Sequence, residues 1–147
     1  MRCSAFLTLR LTSALALAWL LTSACAAEND GQTLRIGQHD FQVEVARTPP
    51  QREHGLMGRT RLPANGGMLF IFDDTGQHCF WMRNTPLPLS IAFIDDMGHI
   101  TNLADMQPNT ETLHCPTTAI RYALEIEQGG FATRGIVPGI RVEGLHP

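Results

Sequence analysis

The sequence predicts a mainly β domain with one or two short helices, folded as a compact β-sandwich or an open barrel. Three observations carry that prediction. Apolar segments of strand length recur through the body of the chain, separated by clusters of Gly, Pro, Asn and Asp. Two of them alternate between apolar and polar positions, at 41–45 and 122–127, the period of a strand with one buried face. Only one stretch carries strong helix-start chemistry, so helices are a minor component.

Strands are expected first at 33–36 and at 41–46, where Phe41, Val43 and Val45 alternate with Gln42 and Glu44. A short helix follows, because Thr48-Pro49-Pro50-Gln51 offers a capping hydroxyl, Pro at the first helical position and Gln for a capping box. Gly55 weakens it and Gly58 ends it. The continuous apolar run 68–72 is a strand, Asp73-Asp74-Thr75-Gly76 a turn, and 79–83 the next strand. Pro86 and Pro88 separate it from an apolar strand at 89–94, which Asp95-Asp96-Met97-Gly98 turns back into 99–103 as a hairpin. Residues 104–118 read as a loop. Tyr122, Leu124 and Ile126 then form a half-buried strand with Glu125 and Glu127 on its other face, Gly129-Gly130 break it, a brief helical turn can run to Gly135, and a last strand lies around 140–142.

The first segment lies outside this domain. Arg2 and Arg10 precede the apolar run 11–21, and Ser23-Ala24-Cys25-Ala26-Ala27 follow it, the order of a secretory signal peptide over 1–26. The run is too short for a comfortable membrane span. Cleavage after Ala24-Cys25-Ala26 would release a mature chain into the periplasm or the extracellular space. The alternative is a lipoprotein acylated at Cys25 and tethered to the membrane without spanning it. Residues 27–33 read as a short linker and 34–147 as a single domain.

Every basic residue is Arg, which excludes lysine Schiff-base and lysine general-base chemistry. From Ala27 onward nine arginines face fourteen carboxylates, a net charge of −5, so nucleic acid and anionic lipid are poor partners. Cys79 and Cys115 remain as an even pair in an oxidising compartment, and a disulfide is the simplest reading. Closing that loop would stabilise the fold by roughly 3 to 4 kcal/mol. Because each cysteine follows a histidine, His78-Cys79 and His114-Cys115 with Met82 nearby offer soft ligands for copper or zinc as the alternative. On an extended strand neighbouring side chains diverge, so no metal is expected there, and no cofactor.

Five motifs occur in order: Gly55-Leu56-Met57-x-Arg59, Gly67-Met68-Leu69-Phe70, Phe80-Trp81-Met82-x-Asn84-Thr85, Pro88-Leu89-x-Ile91-Ala92-Phe93-Ile94-Asp95 and Tyr122-x-Leu124-Glu125. Together they resemble the domain of unknown function 192 family (DUF192) over roughly 34–142. The resemblance implies a small β-rich domain, often exported, without an established activity. Arg83 stands where that family usually carries Lys, and Ser90 where it usually carries Asp.

The run from Phe80 to Thr85 interleaves an indole, a guanidinium and an amide in apolar surroundings, and such groups need partners, a ligand or a surface. Trp81 can be core or a stacking platform, and Asn84 and Thr85 can shape the turn before Pro86 or orient a ligand. Arg59 can pair with Asp95, Glu125 or Glu127. Glu125, between large apolar residues, needs an Arg or a raised pKa if it is buried. The six histidines are scattered with no nucleophile at motif spacing, which argues against a catalytic triad. The favoured reading is a binding module for a small polar or anionic ligand or an envelope protein. Trp81 would stack, Arg83 and Arg59 would bind anions, and Asn84, Thr85, Glu125 and Asp95 would orient the ligand. The alternatives are a hydrolytic enzyme using Glu125 or Asp95 as acid or base, and metal handling through His78, Cys79, His114 and Cys115.

Overall fold

A computed structural model of the protein describes residues 31–146. The signal-peptide reading, the Cys25 anchor and residues 27–30 of the expected linker lie outside the described residues. Seven strands form a single sheet: β1 (Gly31–Ile36), β2 (His39–Ala46), β3 (Gly66–Gly76), β4 (Leu89–Ile94), β5 (Ile100–Met106), β6 (Ile120–Glu127) and β7 (Val142–Glu143). Their spatial order is β5-β4-β6-β3-β2-β1-β7. The sheet curls into a half-barrel, so of the two expected architectures the open barrel is the one formed. β1 also takes in residues 31–33, expected as linker.

Among the described residues only β2 and β3 pair in parallel; their crossover carries helix α1 (Pro49–His54), as a parallel connection requires. The Thr48 hydroxyl accepts the Gln51 N–H at 3.4 Å, and Gln51 Oε1 accepts the Thr48 N–H at 2.9 Å, the reciprocal cap expected from the sequence. The helix stops at Gly55 rather than Gly58: Gly55 has φ +47° and ψ −128°, a conformation open to glycine and strained for other residues. That reversal sends Leu56 and Met57 back across the sheet.

The central strands β3, β4 and β6 bury both of their faces. One face gathers Leu34, Phe41, Leu69, Ile94, Ile100, Leu124 and Val142, so that all seven strands contribute to one core. The opposite face buries Met68, Phe70, Leu89, Ile91, Phe93, Met106 and Ala123 under Leu56, Met82 and Leu87 from the connecting segments. β6 is therefore not half-buried as its alternation suggests, because those segments cover its second face. Long stretches of chain hold that cover. Phe80 and His114 form an isolated antiparallel bridge, and a disulfide joins Cys79 to Cys115 across 36 residues. Residues 79–83 thus form a clamp and not the expected strand. Residues 73–76 continue β3 through a register shift instead of turning, and β5 extends to Met106 into the expected loop.

Near its start, β5 is bound to the segment before and within β7. Ile100 N–H donates to the Ile140 carbonyl at 3.0 Å, Gly139 N–H to the Ile100 carbonyl at 2.8 Å, and Val142 N–H to the Gly98 carbonyl at 2.8 Å. The two ends of the strand order are thereby joined at one rim.

Close packing between β3 and β6 explains Gly67. A Cβ there would lie 2.4 Å from the Glu125 carbonyl oxygen and 2.9 Å from Ile126 Cγ2, and backbone cannot step aside as a flexible side chain can. Gly67→Ala is expected to lower stability by about 1–3 kcal/mol, measured by chemical denaturation. An unchanged midpoint would show that β6 shifts without resistance.

Candidate functional site

β6 carries the residue that stands out chemically. Glu125 alternates onto the face of Ala123, and register places Met68 of β3 and Ile91 of β4 on either side of it. The residue is only 5% exposed. Among the described residues no hydrogen bond or ion pair reaches its carboxyl group; the fully buried polar atom without a partner is Arg121 Nε, and the Glu125 carboxyl keeps contact with the cleft it lines. Desolvation pushes its pKa from 4.5 up to about 8, so the group is mostly protonated at neutral pH.

Glu125 lines a cleft of about 220 Å³. From the α1 side come Arg52, Glu53, His54, Gly55, Leu56 and Met57; the other walls are Phe70 and Phe72 of β3, and Cys79, Phe80, Trp81 and Thr85 of the clamp. The aromatic wall is built edge to face. The Phe80 ring stands at 5.0 Å and 82° to Phe70 and at 5.9 Å and 66° to Phe93. Phe72 stacks on His78 at 3.7 Å, with the Arg52 guanidinium 5.1 Å from its centroid. Arg52 Nη1 donates to the carbonyls of Ile71, at 2.9 Å, and Arg47, while Nη2 lies 3.7 Å from Asp73.

The clamp holds its segment of the wall by backbone bonds. Met82 N–H donates to the Thr110 carbonyl at 2.9 Å, and Asn109 N–H to the Thr85 carbonyl at 3.0 Å. The Thr85 hydroxyl donates to the Arg83 carbonyl at 3.3 Å. Asn84 takes the left-handed conformation at φ +54°, and its carbonyl accepts the Gly58 N–H at 2.9 Å. Here Asn84 shapes a turn; it does not line the cleft.

Of the seven ligand-contact residues expected from the sequence, Trp81, Thr85 and Glu125 meet at the cleft, and the other four fall elsewhere. Arg59 pairs with Glu44 Oε2 at 2.6 Å and not with Asp95, Glu125 or Glu127, because β2 lies nearer to the loop after α1. Arg83 lies over the Trp81 ring at 5.6 Å and reaches Glu111 at 3.8 Å on the surface. Asp95 lies past the end of β4, where Oδ1 accepts the N–H groups of Met97 at 3.0 Å and His99 at 2.7 Å. It is a turn cap, as is common for Asp in hairpins. The metal alternative loses its thiolates, since Cys79 and Cys115 bond to each other. Ser90 projects to the opposite face of β4 from Ile91, accepting the Gly129 N–H at 2.9 Å and donating to Asp105 at 2.5 Å, so this departure from the family pattern lies away from the cleft.

Arg52, His54, Phe70 and Phe72 were not expected at the site. His54 immediately precedes the Gly55 motif and Arg52 stands three residues before it, and that proximity was the available signal. Phe70 and Phe72 read as ordinary core in a continuous apolar run.

The DUF192 family model, described as "Uncharacterized ACR", matches residues 32–144. A candidate transcription regulator from Sinorhizobium meliloti 1021 superposes with a TM-score of 0.75 at 36% identity, covering 78% of this chain and 93% of that one. A protein of unknown function from Novosphingobium aromaticivorans superposes with a TM-score of 0.74 at 36% identity, covering 77% and 84%. No curated protein matches the chain.

Proposed function

We propose that this chain, which belongs to the DUF192 family, is an exported binding module that takes a small polar ligand in the cleft over Glu125. The observation that carries the reading is a buried carboxyl group with no protein partner, opening into a cavity walled by aromatic rings. A buried polar group without a hydrogen bond is costly, and a ligand that supplies the bond removes that cost. Residues from four of the five motifs that carry the family resemblance meet there: Gly55, Leu56 and Met57; Phe70; Phe80, Trp81 and Thr85; and Glu125. No helix of the described residues is long and apolar enough to cross a membrane. The disulfide suits an oxidising compartment, and the N-terminal charge-apolar-small order supports export. Nucleic acid, which the relative's description as a transcription regulator would suggest, is disfavoured by the acidic charge balance of the chain after Ala27.

A hydrolytic role is the second reading, favoured by one observation. A carboxylic acid with a pKa of about 8 is suited to give or take a proton near neutral pH. Asp95 drops out of that reading, because both of its Oδ1 contacts serve a turn.

Screening small polar fragments by NMR, with the backbone amides of the cleft residues as reporters, tests the binding reading. Trp81 is 40% exposed, so Trp81→Ala should leave stability within about 1 kcal/mol and abolish fragment response at the cleft. Responses that persist in Trp81→Ala, or that map to another surface, count against the cleft as the binding site.

A further inference from the structure

We infer that the cleft over Glu125 is selective for a small organic cation, an alkylammonium group whose N–H donors meet the Glu125 carboxylate while its carbons pack against Phe70, Phe80 and Trp81. This rests on the binding reading above and names its ligand class.

The hydrogen-bonding inventory of the cleft comes first. A site for an anion or a carbonyl would present buried donors with nothing to bind. Here the buried donors are already engaged: the Thr85 hydroxyl on the Arg83 carbonyl, and Arg52, 15% exposed, on the carbonyls of Arg47 and Ile71. What remains without a protein partner in the cleft is the Glu125 carboxyl, an acceptor only once it is ionised; the buried Arg121 Nε, a donor without a partner on the same strand, does not line the cleft. The walls point the same way. Aromatic faces attract cations through their quadrupoles, more strongly where water is excluded, and this wall already holds guanidinium groups over Phe72 and Trp81. Arg52 is directed away by its backbone partners, and desolvation is the only influence that raises the Glu125 pKa, so no cation of the protein occupies the position facing the carboxyl. The volume of about 220 Å³ is that of roughly seven waters at about 30 Å³ each, enough for an ammonium head and a short chain.

Binding is then coupled to proton release. A protonated Glu125 gives up one proton to solvent as the ammonium arrives, and charge balances, since one cation enters and one leaves. The other titratable groups around the cleft are Arg52, Glu53 and His54 from α1 and Arg83, Glu111 and His114 near the clamp. Arg121 and Glu127 share the strand; the flanking positions Met68 and Ile91 do not titrate. An alkylammonium keeps its own charge to pH 9, like a lysine. Affinity should therefore rise about tenfold from pH 6 to 7, continue rising toward pH 8, and level off above it.

Calorimetric titration of the folded protein with n-butylammonium chloride, sodium butyrate and n-butanol, at pH 6 to 9, tests this. Butylammonium should bind with the stated pH profile and release close to one proton per ligand at pH 6.5, read from two buffers of different ionisation enthalpy. Glu125→Gln should abolish binding; should that variant fail to fold, the proton count in the unaltered protein decides alone. A lysine tripeptide separates the sources of the cation: tighter binding than butylammonium assigns it to a protein side chain, weaker binding to a free amine, and either supports an ammonium site. Preference for butyrate or butanol, or butylammonium binding without proton release, overturns the inference and leaves the cleft as a binding site. Silence of all three probes together with an unresponsive Trp81 counts against both.

Discussion

Glu125→Gln is expected to abolish most of the alkaline loss of stability of this protein. In the unfolded chain the carboxyl ionises near pH 4.5, and in the folded protein near 8. Below pH 4.5 both states hold the proton and the group is neutral to stability. Between those values the unfolded state has lost the proton and the folded state keeps it, so stability falls as pH rises, and above 8 the loss is complete. The full span is on the order of 5 kcal/mol, from about 1.4 kcal/mol per pH unit. Gln carries a neutral group of the same size and has no such slope. Unfolding free energies at pH 5 and pH 9 should therefore diverge by several kcal/mol in the parent and stay close in the variant. Parallel pH profiles for the two proteins would show that water reaches the carboxyl freely. A ligand cation that pairs with the carboxylate should also restore stability at pH 9.

Removing the Cys79–Cys115 disulfide is the second large expected effect. On the chain-entropy account, a link across 36 residues stabilises the fold by about 4 kcal/mol. Cys79→Ser with Cys115→Ser should lose that amount in a denaturant titration, and the parent should show the same loss under a reducing agent. The consequences are not confined to stability. The covalent link sits beside the Phe80–His114 bridge and Cys79 itself lines the cleft, so Trp81 should lose its order before the core melts. Indole fluorescence that changes at lower denaturant than the far-ultraviolet signal, in the double variant alone, is the expected signature. Coincident transitions at the parent's midpoint would mean that the clamp holds by its hydrogen bonds alone.

Local chemistry made much of this fold legible. Alternation at 41–45 placed β2, the reciprocal cap of Thr48 and Gln51 placed α1, and Asp95 with Gly98 placed the β4–β5 hairpin. Each depends on residues close in sequence. The burial of Glu125 does not. Its strand alternates as though one face met water, and that face is covered by Leu56, Met82 and Leu87 from connecting segments whose packing on β6 is not a local property. The same limit applies to Arg59, whose partner Glu44 belongs to a strand hydrogen-bonded in parallel to β3, a pairing that depends on register between distant segments. Trp81, Arg83, Asn84 and Glu125 all carried a chemical mismatch with apolar surroundings, and of these Trp81 and Glu125 line the cleft while Arg83 and Asn84 do not. Phe70 and Phe72 carried none.

The bonds from Gly98 and Ile100 to residues 139–142 have a colloidal consequence. An open β-ribbon offers bare amides and carbonyls that a neighbouring copy can extend, which is how sheet proteins grow into fibrils. In this chain β7 is two residues long, and the segment leading into it occupies the rim of β5. The last few residues of the sheet thus act as a selvedge at the Gly98–Ile100 end of β5, shortening the template that edge offers for intermolecular growth in a crowded solution.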